Sequence, residues 1–213
     1  MDLRTRQGFE TAARQLGLRL AGSRSWQGGA ASYAALAEQV ARARPDGVFL
    51  AGFGEFSGSD VIKALRDRLG AGVVLVANET FTPQVLDQVG SAAEGMYITK
   101  SWVPIDGLGS AGKRLVREFA ATQPKAATLD FVPFVPETMQ ATEVLLQAIA
   151  RSDGTRRSVL EQLRRTHVEN GVLGSFSFDA RGDMSPKIIA VERIERGRPI
   201  FDHLISVPAT LLP

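Results

Sequence analysis

An α/β fold built around a parallel sheet is what this sequence predicts, on three observations. Short, unbroken apolar runs at residues 47–51, 73–76 and 95–99 have the length and composition of strands buried on both faces. Stretches with apolar residues at helical spacing separate these runs, which is the alternation that a covered parallel sheet needs. Near the C-terminus the period changes to two, with turn residues between the runs, and that pattern belongs to antiparallel strands.

The first helix is predicted over residues 4–16, where Phe9, Ala12, Ala13 and Leu16 share one face, and Gly17 stops it. Residues 18–21 read as a short strand. After the polar, glycine-bearing stretch 22–29 a second helix begins near Ser32 with Tyr33, Leu36, Ala37 and Val40 inward, and Pro45-Asp46 turns the chain into the strand at 47–51. The third helix, 59–69, turns Val61, Ile62, Leu65 and Leu69 inward before the strand at 73–76. Thr82 as N-cap and Pro83 at the first helical position announce a fourth helix, which runs to about Val89 and precedes the strand at 95–99. Past Trp102-Val103-Pro104 the pattern changes, and helices at 110–122, 136–151 and 158–165 follow with no comparable strand between them. This break is the expected lobe boundary. Strands at 174–179, 188–194 and 200–207 close the chain, joined by turns at Ala180-Arg181-Gly182-Asp183 and Arg196-Gly197-Arg198-Pro199. Helix 136–151 carries Met139, Leu145, Leu146 and Ile149, whose burial would contribute roughly 1.5–3 kcal/mol each. A partner outside the predicted sheet is therefore expected to cover them.

Composition removes several chemistries. The 213 residues are 44% hydrophobic, enough for one large core or two small lobes, and 25 basic residues are interspersed among 23 acidic ones, so no basic stripe exists for nucleic acid. The absence of cysteine excludes disulfides, thiolate nucleophiles and cysteine-bound metals. His167 and His203 stand far apart, which speaks against an imidazole-rich metal site. No stretch approaches the roughly 18 apolar residues of a membrane span, and the first six residues lack the apolar stretch of a signal peptide. There is no Gly-x-Ser-x-Gly elbow, and Asp179 with Asp183 lies in a turn, where carboxylates serve the loop. The expectation is a protein that is not an enzyme and uses no cofactor or metal.

Gly52-Phe53-Gly54-Glu55-Phe56-Ser57-Gly58, between a strand and a helix, is the strongest competing signal, because glycines there could admit a pyrophosphate to a helix N-terminus. The spacing departs from the dinucleotide fingerprint: the third glycine comes one residue late, and Phe53, Glu55 and Phe56 crowd the loop. A nucleotide-binding domain of an oxidoreductase and a protein-interaction module stand as the alternative readings.

Three segments in order resemble the Leu/Ile/Val-binding proteins and their relatives, solute receptors with the type 1 periplasmic-binding-protein fold. Arg44-Pro45-Asp46-Gly47-Val48-Phe49 is similar to the family's helix-to-strand junction, and Ser91-Ala92-Ala93-Glu94-Gly95-Met96 to the turn into the last parallel strand of its second lobe. Residues 174–183 resemble its return crossing, G-x-x-x-F-D-x-x-G-D. The resemblance implies that residues 1–103 form the second ligand-binding lobe, a flavodoxin-like parallel sheet. Residues 104–167 then supply helices of the first lobe, and 168–213 the hinge return and C-terminal strands. It also implies a small amino-acid-like ligand, an ABC permease as partner in the full-length context, a periplasmic or extracellular lipoprotein setting, and no nucleic acid. Most of the first lobe lies outside this chain under that reading, so weak ligand binding and homodimer formation through the exposed helical face are expected.

Ligands of open parallel sheets sit beyond the carboxyl ends of the strands. Glu79, after the strand at 73–76, matches the family position whose carboxylate accepts the ligand's α-ammonium; the plainer alternative is a solvated loop acid or a helix-capping one. Phe53 falls where relatives place an aromatic residue, often tyrosine, against the ligand side chain, and a loop phenylalanine tucked into the core is its alternative. Thr80, Phe81 and Tyr97 complete the expected ligand-binding set, with Trp26, Tyr33 and Trp102 as weaker candidates.

Overall fold

The computed structural model describes residues 3–27, 29, 32–52, 57–122 and 134–211. Two compact units divide the chain: Met1–Lys100 with Val191–Asp202 and Pro208–Pro213, and Ser101–Ala190 with His203–Val207.

In the first unit the elements follow one another as α1 (Leu3–Gln15), α2 (Ala34–Arg42), β1 (Gly47–Leu50), α3 (Gly58–Leu69), β2 (Val74–Asn78), α4 (Pro83–Val89) and β3 (Tyr97–Lys100). β1, β2 and β3 pair in parallel, with Leu50 opposite Ala77 and Asn78 opposite Thr99. The sheet continues through β7 (Ile188–Glu195) and β8 (Arg198–Ser206) in the order β1-β2-β3-β7-β8. α3 buries Val61, Ile62 and Leu65, so its predicted face packs as spaced, and α4 buries Val85, Leu86 and Val89. They enclose one core with Leu75, Met96, Ile98 and Ile194. Thr82 caps α4 by accepting from the Val85 amide, with Pro83 just inside.

Two expectations fail here. The sheet is not equally covered on both faces: Leu75 and Ala77 are buried, while Val74 on the other side of β2 is 45% exposed. On β1 the ring of Phe9 from α1 stacks on Phe49 at 4.6 Å. Residues 18–21 form no strand, and Leu18 is exposed. β1 is instead the edge of the sheet, and a cavity of about 640 Å³ lies beside it, lined by α1, residues 18–24, α2 and β1. Four residues with Arg19 at their centre offer few ladder bonds and little apolar area, too little to hold a lone parallel edge.

The second unit contains α5 (Ser110–Thr122), α6 (Val135–Ala150), α7 (Arg156–Arg164) and the three-stranded sheet of β4 (His167–Gly171), β5 (Gly174–Phe178) and β6 (Met184–Ser185). β4 is missed by the periodicity because Val168 is its one large apolar side chain; pairing with β5, not burial, makes it a strand. The helices thus do have strands beside them. Gly112 of α5 sits so close to the β4–β5 turn that an added Cβ would fall 2.6 Å from the Val172 carbonyl oxygen. From α6, buried Gln140 accepts the Val172 amide at 2.7 Å. At the next turn the Asp179 carboxylate accepts the Asp183 and Arg181 amides, and these bonds hold it below the usual carboxylate range. The Asp179–Asp183 pair therefore serves the loop, as expected.

α6 is apolar on two opposite faces. Pro136, Gln140, Val144 and Ala148 are buried, whereas Leu145, Leu146 and Ile149 are exposed at 44%, 60% and 47%. Burial pushes the Glu137 carboxyl up, against the pull of its own backbone amide, and neither carboxylate oxygen has a hydrogen-bond partner among the described residues. A carboxyl raised on folding is a stabilising group while protonated, so its contribution is present below the unfolded value near 4.5 and lost as pH rises through the folded value. Glu137→Gln is expected to raise stability at pH 7 and to flatten this slope, as measured by urea unfolding across pH 4–8.

Candidate functional site

The parallel register aligns three strand ends, so that Ala51–Gly52, Asn78–Thr80 and Thr99–Lys100 share one edge of the first unit. Glu79 lies in the turn after β2, half-buried, and the turn is closed by the Phe81 amide donating to the Asn78 carbonyl at 3.2 Å. Thr80 Oγ1 lies within hydrogen-bond reach of the Gly52 carbonyl and of Asn78 Oδ1, the latter at 3.0 Å. One hydroxyl proton serves one acceptor at a time, so this side chain ties the end of β1 to the end of β2 and fixes the turn that carries Glu79. Thr99 Oγ1 donates to the Ala77 carbonyl at 3.3 Å and continues the tie to β3. Within the edge, Glu79 is a carboxylate on a short, braced turn, suited to receive a cationic group.

The remaining expected residues separate. Phe53 lies outside the described residues. Phe81 is no part of the edge: it is 2% exposed and belongs to the core, because Gly58 leaves room for its ring at the start of α3. A Cβ on Gly58 would lie 2.8 Å from Phe81 Cε1. Tyr97 opens β3 opposite Val76, at the start of the strand that ends with Lys100, with its ring 6.0 Å from the Arg193 guanidinium. That places it on the body of the sheet, away from the edge. Tyr33 is a core residue whose hydroxyl donates to the Gln27 carbonyl at 2.6 Å. Trp102 packs near Phe134 in the second unit, ring centroids 5.4 Å apart.

Sequence reasoning missed two contacts at this edge, one of them made by Trp26, which it names only as a weaker candidate. Trp26 lies against Gly52, whose added Cβ would meet the indole at 3.0 Å; the glycine ending the β1 run was the available signal. At the end of β3 the Lys100 ammonium lies 2.7 Å from the Glu192 carboxylate of β7, a nearly buried ion pair between residues distant in sequence. Against the nucleotide reading, the first turn of α3 holds the Phe81 ring against Gly58, the glycine that would have to let a phosphate approach. No group of three or more metal-ligating side chains occurs among the described residues, and no described helix is long and apolar enough to cross a membrane.

A sequence profile described as periplasmic binding protein matches residues 3–197. The fold is similar to a leucine binding protein, LivK, of Thermotoga maritima, with a TM-score of 0.70 and 22% identity over 93% of this chain and 55% of that one. A branched-chain amino acid ABC transporter protein of Thermus thermophilus, solved with bound valine, has a TM-score of 0.68 and 17% identity over 95% of this chain and 56% of that one. A solute binding protein of R. palustris, solved with 4-hydroxybenzoate, has a TM-score of 0.68 and 12% identity over 93% and 54%. Among proteins of curated function none matches the sequence. The chain spans a little over half the length of these structures, and at such identities the likeness speaks for the type 1 periplasmic-binding-protein fold. With the profile covering almost all of its length, the chain belongs to the periplasmic binding protein family, whose members are periplasmic solute receptors.

Proposed function

We propose that this chain supplies the strand-end wall of a receptor that captures a small amino-acid-like solute for an ABC importer. The observation that carries the reading is the braced turn at the end of β2, where Thr80, linked to Gly52, holds Glu79 at the shared edge of three parallel strands. A carboxylate fixed there selects solutes that carry an ammonium group and repels those whose only charge is a carboxylate. Similar receptors solved with valine and with 4-hydroxybenzoate represent those two solute classes, and Glu79 favours the first. The receptor works outside the cytoplasm and catalyses no reaction; its output is closure around the solute, read by a permease.

In this reading residues 1–103 are the second lobe, 104–167 are helices that pack on the first lobe's sheet, and 168–213 return through the hinge. The apolar face of α6 with Leu145, Leu146 and Ile149 supports it, since a helix apolar on opposite sides is stable between two layers. Where the companion sheet is lacking, the same face pairs with a second copy of the chain.

Calorimetry on the protein at its full natural length tests the assignment. Leucine or valine is expected to bind and benzoate not, and Glu79→Gln is expected to weaken amino acid binding about 30-fold or more, the usual cost of removing one partner of a desolvated charge pair. Unchanged amino acid affinity in Glu79→Gln, or tighter binding of benzoate than of any amino acid by the unaltered protein, overturns it.

A further inference from the structure

Trp26 comes from the stretch between α1 and α2, yet it reaches the end of β1. A Cβ added to Gly52 would fall 3.0 Å from Trp26 Cη2 and 3.1 Å from Cζ2, so the indole rests directly on the backbone where β1 finishes. Two contacts hold the stretch that carries it. Buried Tyr33 donates its hydroxyl to the Gln27 carbonyl at 2.6 Å, and the Gly29 amide donates to Ser57 Oγ, beside the first turn of α3, at 3.1 Å. The carbonyl of the same Gly52 accepts from Thr80, the neighbour of Glu79. Trp26, Gly52, Thr80 and Glu79 are therefore successive members of one connected strip along the strand ends.

The strip has an apolar end and an anionic end. Trp26 is half-buried and packed against the core, and an indole held in this way offers a rigid apolar surface at little entropic cost. Gly52 makes the placement possible, because a side chain there would displace the ring. A solute with an ammonium group beside an apolar body matches the strip at both ends.

We infer that Trp26 is a specificity-determining residue of the solute site, the apolar wall against which the side chain of an amino acid lies, favouring large apolar side chains over small ones. This rests on the reading of Glu79 as the ammonium-binding group. A Trp26 that only packs would, when truncated, lower the affinity for every amino acid by one common factor; a wall changes the ratio between them.

The test measures affinities of the protein at its full natural length for alanine, valine, leucine and phenylalanine, in parallel for Trp26→Ala, Trp26→Phe and Glu79→Gln. Trp26→Ala is expected to lower the leucine-to-alanine and phenylalanine-to-alanine affinity ratios about tenfold or more, Trp26→Phe to preserve most of both, and Glu79→Gln to weaken all four amino acids alike. A ratio unchanged in Trp26→Ala, with Glu79→Gln still weakening all four, overturns the role of Trp26 and leaves the site standing; no effect of Glu79→Gln, or no binding of any of the four, overturns both. Should Trp26→Ala fail to fold, Trp102→Phe leaves Trp26 as the single indole of the chain. Its emission is expected to shift on adding leucine, and an unchanged spectrum at saturation overturns the inference.

Discussion

Replacing Lys100 by methionine is expected to lower stability by about 3–5 kcal/mol, because it leaves the Glu192 carboxylate buried without its counter-charge. The Glu192 side chain is 6% exposed and that of Lys100 18%, and their charged atoms lie 2.7 Å apart, so little solvent remains to take over when one partner goes. Glu192→Leu alone should cost less than Lys100→Met alone, since the surviving ammonium sits on a longer, more exposed stem that can reach water. The double replacement Lys100→Met with Glu192→Leu is expected to recover most of the loss, because two apolar groups of similar volume need neither desolvation nor pairing. Urea unfolding reads all three variants: midpoints should fall while the slope stays constant. A Lys100→Met protein with an unchanged midpoint would mean that water, not Lys100, satisfies Glu192. The pair has a positional consequence as well, since Lys100 is the last residue of β3 and its tether to β7 fixes where that strand end lies on the edge shared with Glu79.

The 213-residue chain by itself is expected to self-associate through the outer face of α6, and Leu146→Glu with Ile149→Lys to return it to a monomer. These side chains are 60% and 47% exposed, and Leu145 beside them 44%, on a stripe of the helix where Met139 and Thr142 also fall and no charged residue interrupts. Removing such area from water is worth roughly 25 cal/mol per Å², while a glutamate and a lysine in its centre would have to be desolvated on pairing. Association should weaken at least tenfold in the double variant, with helical content unchanged because both positions face solvent in the single chain. Sedimentation at rising concentration measures it, and an unaltered chain that stays monomeric at hundreds of micromolar would show that the stripe is inert.

Much of the fold was legible because the signals were local. Thr82 and Pro83 start α4 through bonds within one turn, and the inward face of α3 follows from spacing alone. The parallel strands β1 to β3 announced themselves as apolar runs. β4 did not, since pairing with β5 makes it a strand where its own side chains are mostly polar. The run at 18–21 had the local pattern of a strand and lacked the neighbours to hold it. At the site, Glu79 and Thr80 lie at the strand end where they were expected. Phe81 carried the same loop signature as an edge aromatic, and the missing side chain of Gly58 draws it into the core instead.

By itself the sequence determined the class of fold and the order of most of its elements, and it offered the parallel strand ends as the candidate place for a site. Those follow from periodicity, caps and composition, each of which is complete within a few neighbouring residues. Only the tertiary structure decided that Trp26 meets Gly52, that Lys100 meets Glu192, and that α6 presents one apolar face to its own unit and the opposite one to solvent. Such pairings depend on which distant backbone comes within a few ångströms, and local patterning states how apolar a face is without naming what will cover it.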